Sequence, residues 1–341
     1  MKITNKYNLP EPIYKACQMD THRTHGDISV TTLIDAPQIR YLKRKHNDAL
    51  EQDVSEMLWA LQGTAMHAIL ERANIELVRE RAFDLTLDTL ENFLKEVGSM
   101  TLSELVSSVL SPLRNLKNYI FKKLISDDYL FETTLNCEIN GMVVSGTFDL
   151  YNKVDCKLQD YKNVSVWAYI YPESRKKFIR QLNIYAYMLR LQGYEVKSAS
   201  VILMFRDWDR RSAKTNKDYP QVQTLELEIP LYSQEEVYKV IAKRVELHKA
   251  ADIDNVAECT GEERWATADK YAVMVEGLKR AKIVLDHESD ANKYIEENKH
   301  KTTKMWVEKR PGENKRCNEY CLDREFCPQR KEAMRKLVEE I

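Results

Sequence analysis

Three short β-rich segments joined by tight turns constrain the fold of this 341-residue chain more than any other feature of its sequence. The segments, at 134–139, 142–151 and 157–164, are rich in branched and aromatic residues. Asn140-Gly141, between the first two, is a favoured pair for a two-residue hairpin turn because both residues tolerate a positive φ. The pattern predicts a three-stranded antiparallel meander.

The segments around the meander predict the rest of the core. A helix over 173–191 stops at Gly193, strands follow at 200–205 and 223–229, and Ser233 with Glu236 opens a helix over 233–249. On the N-terminal side, helical spacing of apolar residues predicts helices. The predicted N-terminal elements are an extended piece at 28–37 and helices at 38–46, 55–81, 85–97 and 102–124.

This order predicts an α/β fold, with a mixed β-sheet core flanked by helices and with helical insertions. We expect an N-terminal segment over 1–54 that packs on a core at 55–250. A helical insertion lies within the core at about 82–130. The region at 251–341 is highly charged, and we expect it to be mostly helical and to contain a cysteine cluster.

Composition excludes some classes of protein and leaves others open. The formal net charge is −1, with 43% hydrophobic and 31% charged residues, as in soluble globular proteins. Basic residues cluster only locally, at 40–46, 175–180 and 299–304, and such clusters are usually solvated surface. The sequence has no signal peptide and no run of about 18 apolar residues. We therefore expect a cytoplasmic protein, without a membrane partner, whose cysteines stay reduced.

Asp160-Tyr161-Lys162 lies in the third predicted strand. Side chains alternate faces along a strand, so Asp160 and Lys162 share one face. Asp149 ends the preceding strand, and the turn at 152–155 brings it alongside. Two converging carboxylates form a site for Mg²⁺ or Mn²⁺, beside which a lysine orients water or stabilises charge on a phosphate. A D-x-K sequence alone is more typical of a surface pair, but the position of Asp149 favours a catalytic centre.

Two residue pairs on helices accompany these strands. His67 and Glu71 are four residues apart and share a helix face, with Gly63 one turn earlier to allow close approach of another backbone. A neutral imidazole would add a nitrogen ligand and favour Mn²⁺, although a single helical histidine is more often structural. Gln181 and Tyr185 have the same spacing after the D-Y-K strand, where either packing or a contact with a phosphate or base would explain them.

Taken in order, these motifs resemble the PD-(D/E)XK nuclease superfamily, in particular its RecB-like and CRISPR-associated exonuclease branch. The resemblance implies a restriction-endonuclease-like core over about 28–205. It also implies a metal site formed by His67, Asp149, Asp160 and the Tyr161 backbone carbonyl, and DNA contacts by Gln181 and Tyr185. The matching residues are Gly63, His67, Glu138, Gly146-Thr147-Phe148-Asp149, Asp160-Tyr161-Lys162 and Gln181-Leu182-Asn183-Ile184-Tyr185.

Three cysteines bunch near the C-terminus, Cys317, Cys321 and Cys327, and such a cluster in a reducing compartment favours metal ligation over incidental core cysteines. In iron–sulfur members of the branch, three such cysteines and one upstream hold a 4Fe–4S cluster. The family pattern has a first gap one residue shorter, and it places the upstream cysteine just before Pro37, where this chain has Ala36. Cys17 is then the candidate fourth ligand. A zinc site completed by His300 or Cys17 is the alternative.

Two functions follow. The first is metal-dependent hydrolysis of DNA phosphodiesters, with the resemblance implying exonuclease action on single-stranded or end-processed DNA. Since no nucleotide-driven motor motif is present, this enzyme would rely on processed ends, a helicase or a recombination partner. The alternative is a non-catalytic DNA-end or partner-binding module that keeps the fold. The presence of all four of His67, Asp149, Asp160 and Lys162 favours the enzyme.

Overall fold

The structure of the protein is a computed structural model that describes residues 1–19, 25–97, 128–298 and 304–339. Contacts between residues divide the chain into two compact units. The core unit consists of Ile3–Ile34 and Gln52–Lys249. The C-terminal unit consists of Met1–Lys2, Asp35–Glu51 and Ala250–Ile341. The sequence predicts that the segment at 35–51 belongs to the N-terminal region, but its contacts group it with the end of the chain.

The described elements are numbered here in chain order. The strands are β1 Lys2–Thr4, β2 Ile28–Ser29, β3 Glu51–Asp53, β4 Tyr129–Ile139, β5 Met142–Asn152, β6 Lys157–Val164, β7 Ser198–Phe205, β8 Thr224–Ile229, β9 Lys270–Val275, β10 Ile283–Leu285 and β11 Met305–Arg310. The helices are α1 Glu11–Met19, α2 Val30–Leu33, α3 Pro37–Lys45, α4 Val54–Val97, α5 Trp167–Ile170, α6 Pro172–Leu191, α7 Arg210–Thr215, α8 Gln234–Asp252, α9 Glu288–Glu297 and α10 Pro328–Glu339.

A mixed six-stranded sheet forms the core unit, with strands in the order β2-β5-β6-β7-β8 and β4 also paired to β5. The pairs β4–β5, β5–β6 and β7–β8 are antiparallel, whereas β6–β7 and β2–β5 are parallel. Helix α6 connects the parallel strands β6 and β7 and buries its apolar side in the core, including Leu182, Tyr185 and Leu189. The predicted meander, the mixed sheet and the flanking helices are confirmed.

Local signals in the sequence also behave as expected. Asn140 and Gly141 have φ angles of 49° and 71°, and Ile139 pairs directly with Met142 across the turn. Gly193 follows α6 with a φ of 87°. Ser233 and Glu236 form the reciprocal hydrogen bonds of a capping box, with Ser233 N donating to Glu236 Oε2 at 2.9 Å and Glu236 N donating to Ser233 Oγ at 3.3 Å.

Two predictions about secondary structure are wrong. Helix α4 runs without a break to Val97, so the separate helix predicted at 85–97 does not exist; no glycine or proline interrupts the chain between 81 and 85. The C-terminal unit contains a three-stranded antiparallel sheet, β10-β9-β11, where we expected helices. Its strands are only three to six residues long, and their charged residues hid the alternation. The helix predicted at 102–124 lies outside the described residues.

Within the described parts of the chain, every helix is too short or too polar to cross a lipid bilayer.

Candidate metal centre

A row of carboxylates crosses three neighbouring strands of the core sheet. The Asn140-Gly141 turn sets the register of β4 against β5, and counting back along both strands from Ile139 and Met142 brings Glu132 opposite Asp149. The flanking pairs Phe131–Leu150 and Thr133–Phe148 keep this register. Directly opposed residues of antiparallel strands lie on one face of the sheet, so Glu132 and Asp149 are neighbours across the strands.

The row of carboxylates continues from Asp149 on β5 to Asp160 on β6, at the point where these two strands separate. Their last ladder pair in this direction is Leu150 with Gln159, and the residues one step further are Asp149 and Asp160. The two strands no longer pair there, and Tyr161 N donates to Asp149 Oδ2 at 2.6 Å instead. Both aspartates are buried, with 7% and 1% of their surface exposed. The β5–β6 ladder therefore ends at the two aspartates, which leaves their carboxylates between the separating strands.

Helix α4 supplies the imidazole of this site. His67 Nδ1 lies 3.2 Å from Asp149 Oδ1 and 3.9 Å from Glu132 Oε1. Hydrogen bonds with Asp149 and then Glu132 raise the pKa of His67 to about 10, against the opposing effect of burial. Seven residues along the same helix, Asn74 Nδ2 donates to the Tyr161 hydroxyl at 3.1 Å. His67 thus holds α4 against β5, and Asn74 holds it against β6, the strand that carries Asp160.

His67, Glu132 and Asp149 have the donor chemistry and spacing of a site for a divalent cation. One ligand atom from each lies within 4.8 Å of the other two. Ligands on opposite sides of a Mg²⁺ ion, with bonds of about 2.1 Å, stand about 4.2 Å apart, so small adjustments suffice for all three to contact one ion. The raised pKa of His67 favours a protonated imidazole between the carboxylates, and a divalent ion bound there would require the neutral form, because a metal ligand must be deprotonated.

Lys162 and Asp160 lie on the same face of β6, as predicted. Lys162 Nζ is 2.5 Å from Asp160 Oδ2, yet this oxygen is buried without a hydrogen bond of acceptable geometry. Burial raises the pKa of Asp160, the lysine charge opposes that rise, and the charge of Asp149 adds to it. The carboxylate at the strand fork therefore has spare capacity to bind a positively charged group.

Gln181 and Tyr185 lie close to these acids but are buried. Gln181 Nε2 donates to the Tyr185 hydroxyl at 3.1 Å. Burial, with the charges of Asp160 and Asp149, raises the pKa of Tyr185. The ring packs against Gly146, where an added Cβ would lie 2.5 Å from Tyr185 Cε1. The structure brings the pair to the site, and the contact with DNA implied by the resemblance stays a prediction.

Glu132 is a site residue that the motifs do not predict, whereas Glu138, the β4 glutamate that the resemblance matches, lies elsewhere on the strand. Glu138 pairs with Val143 beside the hairpin turn, six residues from Glu132, which is about 20 Å along a strand. Glu71 lies one helical turn beyond His67 and is not part of the ligand group. The Asn140-Gly141 turn could have predicted Glu132. The turn sets the register of β4 against β5, and this register places Glu132 opposite Asp149. The predicted strand begins at 134 and so excludes Glu132, whereas β4 begins at Tyr129.

Gly63 does not serve the purpose that we predicted for it. A Cβ added at this position would meet no atom within 4 Å, so no other backbone in the described part of the chain approaches the helix there. The glycine instead leaves open space on α4 one turn before His67.

Four cysteines line one cavity of about 20 Å³ in the C-terminal unit: Cys259, Cys317, Cys321 and Cys327. Cys259 Sγ lies 3.1 Å from Gln38 Oε1, to which it donates. Burial raises the pKa of Cys259 to about 12, with smaller contributions from Glu263, Cys327 and Cys317. Such a buried group stays a thiol at neutral pH unless a metal replaces its proton.

Cys259 therefore lines the cavity with the C-terminal three, a place for which the sequence suggests Cys17. Cys17 is buried on α1, in the core unit, and it does not line this cavity. The family pattern places the fourth ligand before His67, where Cys17 is the only cysteine. His300, the other candidate, lies outside the described residues.

Comparison with known proteins adds little to this geometry. The chain matches no protein-family model and no curated protein. Among solved structures, it is similar to the crystal structure of a protein named SSO0001, with 15% sequence identity and a TM-score of 0.37. The match covers 69% of this chain and 84% of the other.

Proposed function

We propose that this protein is a metal-dependent deoxyribonuclease of the PD-(D/E)XK type. The observation that carries the proposal is the row Glu132–Asp149–Asp160 across three strands, with His67 above it and Lys162 on the same face of β6. The order β4-β5-β6-α6-β7 supports a restriction-endonuclease-like core, since it places the acids and the lysine on adjacent strands beside a helical histidine. We place the activity in the cytoplasm, where thiols stay reduced.

In this proposal His67, Glu132 and Asp149 hold one divalent cation, Mg²⁺ or Mn²⁺. The Tyr161 carbonyl and Asp160 are the further oxygen donors at the strand fork. A cation bound there supplies a Lewis acid, which lowers the pKa of a water molecule and neutralises charge on the phosphate. A nitrogen ligand among the oxygens favours Mn²⁺.

The side chains of the protein perform the remaining tasks. Lys162 presents a cation that donates hydrogen bonds to a phosphate oxygen as negative charge develops on it. Asp160 holds that amine in place and, being buried, is poised to bind positive charge. Gln181 fixes the Tyr185 hydroxyl beside the acids, where the pair can face a nucleotide that enters the site. The substrate we propose is single-stranded or end-processed DNA, delivered by a helicase or recombination partner.

A cleavage panel tests this function. End-labelled single-stranded and duplex DNA are incubated with Mg²⁺, Mn²⁺ or EDTA. We expect metal-dependent products from the wild-type protein, and their loss in Asp160→Ala and Lys162→Ala variants that keep the wild-type circular dichroism. Lys157→Ala is the matched control, because Lys157 lies on the same strand but pairs with Glu226. A wild-type protein that is inert on every substrate, yet shifts DNA without metal, would be a binding module instead.

We further propose that Cys259, Cys317, Cys321 and Cys327 hold a 4Fe–4S cluster. Among the described residues, only His67, Glu132 and Asp149 bring three possible ligand atoms within 4.8 Å of one another. No three of the four cysteine sulfurs are therefore that close together. Cysteines around one zinc ion, with Zn–S bonds of about 2.3 Å, place their sulfurs about 3.8 Å apart. The wider spacing of these four sulfurs supports a cluster of several irons over a single zinc ion.

A further inference from the structure

An exposed tryptophan lies on the same helix as His67 and on nearly the same face. Trp59, Gly63 and His67 follow one another at intervals of four residues on α4, and residues at this spacing are neighbours on a helix surface. From Trp59 to His67 the helix rises about 12 Å. Among the described residues outside α4, none has an atom within 4 Å of where a Gly63 side chain would begin. The helix therefore presents a shallow path between a histidine at the carboxylates and a tryptophan.

A cation from the sheet supports this tryptophan. The Arg206 guanidinium lies over the Trp59 ring, 4.5 Å from its centre. The backbone of Arg206 continues the β6–β7 pairing, with its N–H donating to the Val164 carbonyl at 3.0 Å. Its Nη1 donates to the Asn163 carbonyl at 3.3 Å, and Asn163 directly follows Lys162. The pair is thus anchored to the strand that carries the proposed catalytic lysine.

The chemistry of this pair matches a single nucleic-acid strand. Trp59 keeps 55% of its surface exposed although the guanidinium lies over its ring, so part of the aromatic surface is accessible to a flat ligand. Exposed aromatic rings beside cations bind single strands without strong sequence preference, because every base has a flat face and every nucleotide a phosphate. Duplex DNA fits poorly, since its bases already stack on each other.

We infer that Trp59, supported by Arg206, stacks on a base of single-stranded DNA and so directs the strand along α4 to the carboxylate row. This inference rests on the proposed nuclease function and names a binding residue for its substrate. At about 3.4 Å per nucleotide in a stacked strand, the path of about 12 Å corresponds to roughly three nucleotides. A base this far from the cleaved phosphate would therefore lie on the ring.

The test compares how variants of the protein bind two DNA strands, one with bases and one without. The Kd of wild type, Trp59→Ala and Trp59→Phe is measured by fluorescence anisotropy in EDTA. The two ligands are a labelled oligothymidylate and an abasic strand of the same length. We expect Trp59→Ala to weaken binding of oligothymidylate by about 5- to 100-fold, Trp59→Phe to recover most of it, and neither to change binding of the abasic strand. A merely structural tryptophan would affect both ligands equally.

Trp306→Ala is the matched control, because Trp306 is also exposed, at 42%, but lies on β11 of the C-terminal unit. We expect it to bind oligothymidylate like the wild type. The inference is overturned if Trp59→Ala binds both ligands like the wild type, if it weakens both to the same extent, or if the control loses as much affinity.

Measurements of DNA cleavage distinguish a failure of this inference from a failure of the proposed nuclease function. If the wild-type protein cleaves single strands with Mn²⁺ and Trp59→Ala cleaves them with unchanged KM, the nuclease function stands and the role of Trp59 fails. If the wild type cleaves nothing but shows the binding differences expected above, the nuclease function fails and the stacking site stands as part of a DNA-binding module. If it neither cleaves nor binds, both are overturned.

Discussion

Glu132 has a backbone φ of +38°, in a region that non-glycine residues rarely occupy. It does so in the middle of β4, between two regular ladder pairs. Residues held in this way cost free energy and persist where the surrounding structure enforces them, often at functional sites. Here the distortion lies beside Asp149 and His67, where the acid reaches the histidine instead of continuing the regular ladder.

The two glutamates of β4 provide a prediction at the residue scale. Glu132→Gln keeps the shape of the side chain but removes its charge, so we expect the Mn²⁺ concentration needed for half-maximal DNA cleavage to rise at least about 10-fold. Glu138→Gln, on the same strand but beside the hairpin turn, is expected to leave this concentration unchanged. Metal titrations of cleavage measure both variants. Equal behaviour of the two would contradict our placement of the ligand group.

At the scale of elements, α4 and β5 each contain a glycine near the site, and the surroundings of the two glycines differ. Gly63 on α4 is open, whereas Gly146 on β5 is tightly packed. Helix α4 begins after Asp53, whose Oδ1 accepts from Ser55 N at 3.1 Å, and it continues past His67 with Gly63 on an open surface. Strand β5 needs Gly146 for space, because Val30 and Tyr185 press against its backbone. One glycine leaves a path beside the helix, and the other lets Tyr185 approach the acids.

These two glycines should therefore respond oppositely to alanine. Gly63→Ala adds a methyl group into open space and removes the helix penalty of glycine, so we expect the free energy of unfolding to increase by up to about 1 kcal/mol. Gly146→Ala forces the Tyr185 ring away, and overpacking of this kind costs about 1–3 kcal/mol. Chemical denaturation of the two variants gives both values. A stabilised Gly146→Ala protein would show that Tyr185 is not held as described.

At the scale of the whole molecule, the two units contain different sets of possible metal ligands. The core unit gathers carboxylates and an imidazole, which are ligands for hard divalent ions. The C-terminal unit gathers four cysteines around one cavity, with α3 and the segment around Cys259 contributing to its lining. Thiolates select zinc or iron–sulfur clusters, so the two metal sites that we propose would take different metals.

Cysteine variants test this separation. Cys259→Ala should lower the iron and acid-labile sulfide content of anaerobically purified protein to a small fraction of the wild-type content, because a cluster that loses one of four ligands is destabilised. Cys17→Ala is the matched control, a buried cysteine of the core unit, and should retain the wild-type content. Retention in the first variant and loss in the second would restore the assignment made from sequence. Zinc in place of iron would refute the cluster but keep the site.

Much of the core could be predicted because its signals are local. Asn140-Gly141 specifies a turn through the φ angles it permits, and alternation along β6 places Asp160 and Lys162 on one face whatever surrounds them. Gly193 and Ser233 mark helix ends for similar reasons. The predicted boundary is wrong at one end: β4 begins five residues before position 134. Tyr129, Phe131 and Thr133 favour strands, but Glu132 interrupts their pattern, and pairing with β5 carries the strand through it.

The sequence by itself determined the residue types, the turn and the alternation of faces, and with them Asp149, Asp160 and Lys162. Only the tertiary structure decided which distant residues complete each site. Glu132 joins Asp149 through strand register, and Cys259 joins the C-terminal cysteines through packing around one cavity. Such choices depend on contacts between residues far apart in the chain, and these form only when burial of the whole core outweighs the entropy lost in bringing the residues together.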